Sequence, residues 1–538
     1  MSTASATAED KSPATNWRKR LSDPLRQLEL NPVLTKDLRQ AARSWTVIGA
    51  VMLLLAIYYF IALTFLLNSE FADRARNNAG PILFGFIGFG AMVGGYLFIP
   101  FYVAVRTMME RASINADLIY ITTMSPQRIA WGKLLSGVYL IVLFYSASVP
   151  FLVFSYLLRG IDLVTVALSI TITFLMNILL LQGAITLAVT RMHVALKVLI
   201  GLFVGVPVII SAISFTVIAI GSHEFARFVG SPMLLNQGAA IVGTFLLNWA
   251  LVMGLLFQAA VAQISPPSAN RALPFRSFLT GAWLLFVLEL FIWSWRLGDD
   301  KAIIILLTTV GTLVILGLFM IIGGPDKLSR RVKRQIPWDP VGRRFAFLFF
   351  NGTLSGMLWL LLIALGTLGL VCGFEYLWTH HPPAALLASG GRMSFLYNDS
   401  TEIYLFYVTM IMYTFGYGLI SKWIHGFFFP KRTPRLACVF FLVLVILPSL
   451  FVLLASVLLY NQPDSLTVPG IPLSIFSTTY SYSPGYLIDH FALHLAGAMG
   501  TVLIGLAINY KWVRQQFTQF FYLNQPDTVA DPDTDPHA

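Results

Sequence analysis

Residues Trp45–Leu67 read WTVIGAVMLLLAIYYFIALTFLL, without one charged or amide side chain. A helix rises about 1.5 Å per residue, so this run covers the roughly 30 Å of hydrocarbon in a bilayer. Inside hydrocarbon the backbone must satisfy its own hydrogen bonds, which makes the run a helix. The rest of the chain repeats the pattern. With 57% hydrophobic and 11% charged residues over 538, and a mean hydropathy of +0.75, it carries more apolar surface than one water-soluble core can bury. The expected fold is an all-α polytopic membrane protein.

Upstream of Trp45 the chain is mostly polar and basic, unlike a cleavable leader, so the run should act as an uncleaved anchor. Asn31-Pro32 can cap a helix whose apolar positions Leu34, Leu38, Ala41 and Trp45 share one face. Lys36, Arg39 and Arg43 lie off that stripe, the layout of a connecting helix lying in the headgroup layer.

Downstream, apolar runs of about 20 residues recur. Twelve transmembrane helices are expected, at about 45–67, 81–105, 134–157, 163–190, 194–220, 239–263, 278–295, 302–322, 347–372, 403–424, 436–460 and 487–509. If the N-terminus is cytoplasmic, nearly all of the 36 Lys and Arg residues fall on cytoplasmic segments. Arg74, Arg76, Arg159, Arg227, Arg296, Lys301 and Arg392 are the exceptions. A missed helix would invert every later loop, so this bias predicts that both termini are cytoplasmic. Two cysteines, Cys372 and Cys438, both lie in apolar runs and imply no disulfide framework. The end of the tail, NQPDTVADPDTDPHA, is acidic and Pro-rich and is expected to be disordered.

The most informative interruption is RTMMERASINADLIYITTMSPQRIAWGK, Arg106 to Lys133. Ile114, Leu118 and Ile121 give a short helix one apolar face, with Asp117 in its first turn where the helix dipole favours a carboxylate. Ser125-Pro126 is an N-cap and first-turn pair for the next helix, and Trp131 and Lys133 mark its entry into the bilayer. Two helices bracketed between membrane spans transmit force.

Other polar features are sparser. Glu289, in LLFVLELFIW, is the one carboxylate well inside a span, beside the neutral groups Asn177, Gln182, Asn248 and Gln258. A charge at that depth costs about 2.5 to 3.5 kcal/mol on insertion scales, which marks Glu289 as a functional candidate with Arg296 as a partner. Its bland reading is a protonated or hydrogen-bonded Glu near the outer end. His490 and His494 stand at i, i+4 beside Asp489, but a pair without a third ligand reads more readily as packing than as a metal site. Gly90 with Gly94, Gly201 with Gly205, and Gly352 with Gly356 allow close helix packing. The longest outer loops, 373–402 and 461–486, could cover an exit or a partner site. No phosphate-binding G-x-x-x-x-G-K-[ST] loop occurs, nor H-E-x-x-H, nor G-x-S-x-G. The polypeptide is therefore not expected to be an enzyme, nor to hold a cofactor or metal of its own.

Glu110-Arg111, Asp117-Leu118, Thr122-Thr123-Met124-Ser125-Pro126, Arg128-Ile129 and Gly132-Lys133 together resemble the permease subunits of the ATP-binding-cassette type 2 export family. Asn31 to Gln40 is similar to that family's amphipathic entry helix. The resemblance implies that the insert is a coupling helix docking on a separate cytoplasmic ATPase, which would bind ATP and Mg. Docking would then use Glu110, Arg111, Asp117, Leu118, Ser125, Pro126, Arg128 and Lys133. It also implies a bacterial inner-membrane location and a homodimer or second permease chain, and it gives no role to nucleic acid. Simple family permeases have six spans. Here a cytoplasmic segment 1–44 precedes a six-span core, 45–263, which carries the coupling insert 106–133. A second six-span region, 264–510, would be a diverged copy or an accessory module, followed by the tail 511–538. Asp339-Pro340-Val341 echoes Asn31-Pro32-Val33 in that second region. The alternatives are an ion-coupled secondary transporter using Glu289 and, behind it, a membrane-embedded lipid-modifying enzyme using His490, His494 and Asp489.

Overall fold

The computed structural model describes residues 31–67, 79–112, 124–158, 161–190, 194–220, 232–266, 268–297, 301–324, 326, 328–381, 399–460 and 486–521. Every regular element among them is helical. In the first part of the chain these are α1 (Pro32–Ala42), α2 (Trp45–Leu67), α3 (Ala79–Val93), a π-helical turn (Gly94–Phe98), α4 (Ile99–Ala112), α5 (Pro126–Leu157), α6 (Leu163–Val189), α7 (Val194–Ile220) and α8 (Pro232–Ile264). The second part holds α9 (Ala272–Leu297), α10 (Lys301–Ile322), α11 (Arg330–Lys333), α12 (Pro340–Phe349), α13 (Thr353–His380), α14 (Asp399–Phe428), α15 (Leu436–Tyr460), α16 (Tyr486–Ile508) and α17 (Tyr510–Phe521).

Nine helices among the described residues are long and apolar enough to cross a bilayer. The other three expected runs fall on α7, α15 and α16, whose described apolar portions are the shorter stretches Gly205–Ser214, Leu436–Pro448 and His494–Ile508. Large apolar side chains stay on the outside, among them Phe60, Leu202, Leu288 and Leu503, as lipid-facing helices require. The protein is thus a multi-pass integral membrane protein built of helices.

The chain divides into two compact units, Met1–Ser265 and Pro266–Ala538. In the first, α2 buries Val47, Leu54 and Tyr58, packs Ala50, Val51, Ile61 and Phe65 partly buried against the same core, and leaves side chains such as Met52, Leu53 and Phe60 exposed. Tyr58 is held by Ser148 at 3.1 Å and lies over Gly90, whose Cβ would stand 2.8 Å from the ring. A Cβ on Gly94 would meet Phe144 at 3.2 Å, whereas one on Gly201 or Gly205 would have no neighbour within 4 Å among the described residues. The core gathers Leu83, Ile87, Ile141, Leu181 and Ile185 between α3, α5 and α6.

In the second unit α10, α13 and α14 surround Leu306, Val310, Leu360, Ala364 and Tyr413. Two boundaries differ from the sequence reading here. The expected run 347–372 begins at Thr353, because Gly352 turns the backbone at φ +153°, a conformation that favours glycine. Residues Pro340–Phe349 form a separate amphipathic helix instead, capped by Asp339 on the Gly342 amide at 2.8 Å. The expected run 278–295 begins at Ala272, which takes Arg276 into the helix.

Candidate functional site

The site lies at one end of the first unit, where α1 meets the last turn of α4 and the first turns of α5. Asn31 starts it. Its side-chain oxygen caps α1 on the Val33 amide at 3.1 Å, while its amide nitrogen donates to the Arg128 carbonyl. One residue thus begins one helix and holds another. Gly132 makes the approach feasible, since a Cβ there would stand 2.9 Å from both Asn31 Nδ2 and Val33 Cβ. Ser125 caps α5 on the Arg128 amide at 3.4 Å, and Pro126 occupies the first turn.

Lys133 is drawn inward. Its ammonium lies 2.5 Å from Glu110 Oε2 and 3.8 Å from Asp37 Oδ2, with its side chain 10% exposed. Lys36 reaches the other Glu110 oxygen at 3.1 Å. The sequence reading placed Lys133 at the membrane surface; the structure makes it the centre of an ion cluster joining α1, α4 and α5. Arg111 extends the tie by donating to the Val189 carbonyl and, at 3.2 Å, to that of Gln263. The ends of α4, α6 and α8 therefore meet. Ile129, Ala130, Val189, Ala260 and Val261 pack beneath, and Trp131 meets Phe257 at a tilt of 46° with ring centroids 4.9 Å apart.

Asp37 is the buried member of the ion cluster that the helical stripe does not reveal. It is buried with Ala41, whereas Trp45 is 85% exposed and opens α2, because α1 ends at Ala42. The stripe through Trp45 is thus not one continuous helix. Burial holds the Asp37 carboxyl above its ordinary value, against the pull of Lys133. Arg39 and Arg43 are exposed, as is Arg128 at the tip of α5. Asp117 and Leu118, with the short helix expected around them, lie outside the described residues.

The second unit has its own polar knot. Arg276, 5% exposed, donates to the carbonyls of Leu348 (2.7 Å), Phe350 (2.9 Å) and Gly352 (3.2 Å) and to Ser355 Oγ (3.1 Å). Lys422 pairs with Asp326 at 2.7 Å, and Asp326 accepts from Thr353 at 2.8 Å. A lone Arg at the start of an apolar run and a Lys near the end of another were the available signals. Both also fit the positive-inside pattern, which gives no sign that they turn inward.

Glu289 is 7% exposed on α9, while Arg296 is exposed and forms no ion pair among the described residues. The proposed pairing of the two is therefore absent. His494 is buried, its carbonyl accepting from Tyr413 at 3.2 Å; the side chains of Asp489 and His490 lie outside the described residues. No group of three metal-ligating side chains occurs among the described residues.

These features define a helical multi-pass membrane protein with an ion-clustered, multi-helix junction at one end of its first unit. No family model, characterised protein or solved structure matches the chain.

Proposed function

We propose that the chain is the transmembrane permease subunit of an ATP-driven exporter, coupled through residues 106–133 to a separate cytoplasmic ATPase. One observation carries the reading: Lys133, Glu110, Lys36 and Asp37 lock the flanks of the insert to α1, and Arg111 locks them to α6 and α8. A push on the insert would move these helices as one body, which is what a mechanical coupler needs. Within this reading the roles divide. Arg128 and Ser125, both exposed, are contacts for the partner, whereas Glu110 and Lys133 are internal struts. The missing phosphate loop explains the need for a motor.

The test is affinity purification of the full chain from its native membrane, followed by reconstitution with what accompanies it. An ATPase bearing phosphate-loop and signature sequences should accompany the wild type and be lost with Arg128→Glu. Glu110→Gln should retain the ATPase but uncouple hydrolysis from transport. Purification of the chain with no ATPase would sink the reading.

A further inference from the structure

A groove of about 590 Å³ opens beside the ion cluster, between the α1–α2 junction and the outer face of α4. Its α4 side is apolar through Phe98, Phe101, Tyr102, Val105 and Met109, with Glu110, already held by Lys36 and Lys133, at its end. Phe101 and Met109 are exposed on a helix that faces hydrocarbon. The opposite wall offers Gln40, Ser44 and Thr46. Trp45, exposed between those hydroxyls, marks the depth as the interface of hydrocarbon and headgroups.

Arg106 stands between the two walls. Its Nη1 donates to the Tyr102 hydroxyl at 2.9 Å, but its buried Nε has no hydrogen-bond partner. Nor does it form an ion pair among the described residues. The nearby carboxylates, Glu110 and Asp37, are each met by a lysine, Glu110 by Lys36 and Lys133 and Asp37 by Lys133. Arg106 is therefore a half-buried cation with no carboxylate of its own, beside the Tyr102 ring at 6.0 Å, at headgroup depth and above an apolar trough.

We propose that this groove binds one acidic glycerophospholipid, its phosphate on Arg106, its headgroup against Ser44 and Thr46, and an acyl chain along Phe101 and Phe98. A water-soluble anion would leave the apolar wall unused. A lipid without net charge would leave the cation unanswered. The assignment is independent of any ATPase, and so is its test.

The full chain is placed in phosphatidylcholine nanodiscs with trace spin-labelled phosphatidylglycerol or spin-labelled phosphatidylcholine, and the motionally restricted fraction of each label is measured. Phosphatidylglycerol should be preferred. Arg106→Gln should lower that preference about fivefold, the worth of one basic residue at an anionic surface. Arg106→Lys should keep most of it, and Val105→Trp, which fills the trough and leaves the charge, should also lose it. Arg514→Gln, at an exposed position in the other unit, should leave it unchanged. Equal restriction of the two labels overturns the proposal, as does an unchanged preference in Arg106→Gln, or an equal drop in Arg514→Gln. If Arg106→Gln does not fold, Val105→Trp decides, full preference there counting against the site. A crosslink showing a second copy of the chain seated in the groove would overturn it too.

Discussion

Lys133 on α5 and Glu110 on α4 are in contact at 2.5 Å, although they stand twenty-three positions apart in the chain. The pair closes the base of the insert. Both side chains are largely buried, at 10% and 18% exposure, so removing one partner strands the other in a poor solvent. Glu110→Gln or Lys133→Met should lower stability by about 3 kcal/mol, near the lower end for a broken buried pair. Thermal unfolding in detergent measures this. The double exchange Glu110→Lys with Lys133→Glu should recover part of the loss, and no recovery would mean that Asp37 and Lys36 fix the polarity of the cluster.

Gly132 sets how closely α1 approaches α5. A valine there would push against Asn31 and Val33, where even a Cβ finds contacts of 2.9 Å. Gly132→Val should cost roughly 1 to 3 kcal/mol by overpacking. It should also free α1, seen as faster proteolysis near residues 31–43 than in the wild type. Gly201→Val, which meets open space on α7, should have no such effect.

Asp37 links the junction to pH. Burial, the largest influence, raises its affinity for a proton; Lys133 lowers it, Glu110 raises it, and Lys36 and Arg106 lower it. The folded protein thus binds the proton more tightly than the unfolded chain. The resulting stabilisation is complete below the ordinary value of 3.8 and is lost as pH rises through the higher folded value. Asp37→Asn mimics the protonated form and should remove this dependence, so its melting temperature should gain on that of the wild type as pH climbs from 4 to 7. A wild type that gained on the variant instead would show that pairing with Lys133 outweighs burial.

The helices were readable because the bilayer leaves a long apolar run no other structure, and each expected run indeed falls on a helix. Arg111 joins the ends of α4, α6 and α8, all read as lying on one side. The caps at Asn31 and Ser125 and the entry of Asp339-Pro340 into an amphipathic helix were local signals. What escaped was tertiary. Composition cannot tell a lysine that snorkels from one that pairs inward, so neither the inward turn of Lys133 nor the burial of Asp37 is visible in residue type. The glycine at 352 looked like packing spacing, and its backbone conformation, which ends the preceding segment, has no signature in residue type.

Arg276 should be the costliest single change in the second unit. Methionine would fill much of its volume but leave the Leu348 carbonyl without the donor it has now, while Ser355 still donates to the carbonyls of Phe350 and Gly352. An unmet buried acceptor costs about 1 to 3 kcal/mol, so Arg276→Met should destabilise by about that much, and Arg276→Lys, with one ammonium for four acceptors, by less. The breakpoint should be local first. Cysteine accessibility should rise at Phe350 and Ser355, at the start of α13, before global unfolding is seen.

Glu289 separates the two transport readings. It is buried in α9, and its exchange for Gln keeps the shape while removing a proton-binding carboxylate. In an exporter driven through the α4–α5 junction, Glu289→Gln should leave ATP-dependent transport within about twofold of wild type, since a neutral substitute at a buried site removes no work done at the other unit. Proteoliposomes holding the chain and its ATPase, with transport followed once with ATP and once with an imposed proton or sodium gradient alone, make the comparison. Uptake by the gradient alone that disappears with Glu289→Gln would transfer the mechanism to ion coupling and leave the junction at Lys133 and Glu110 as a structural brace.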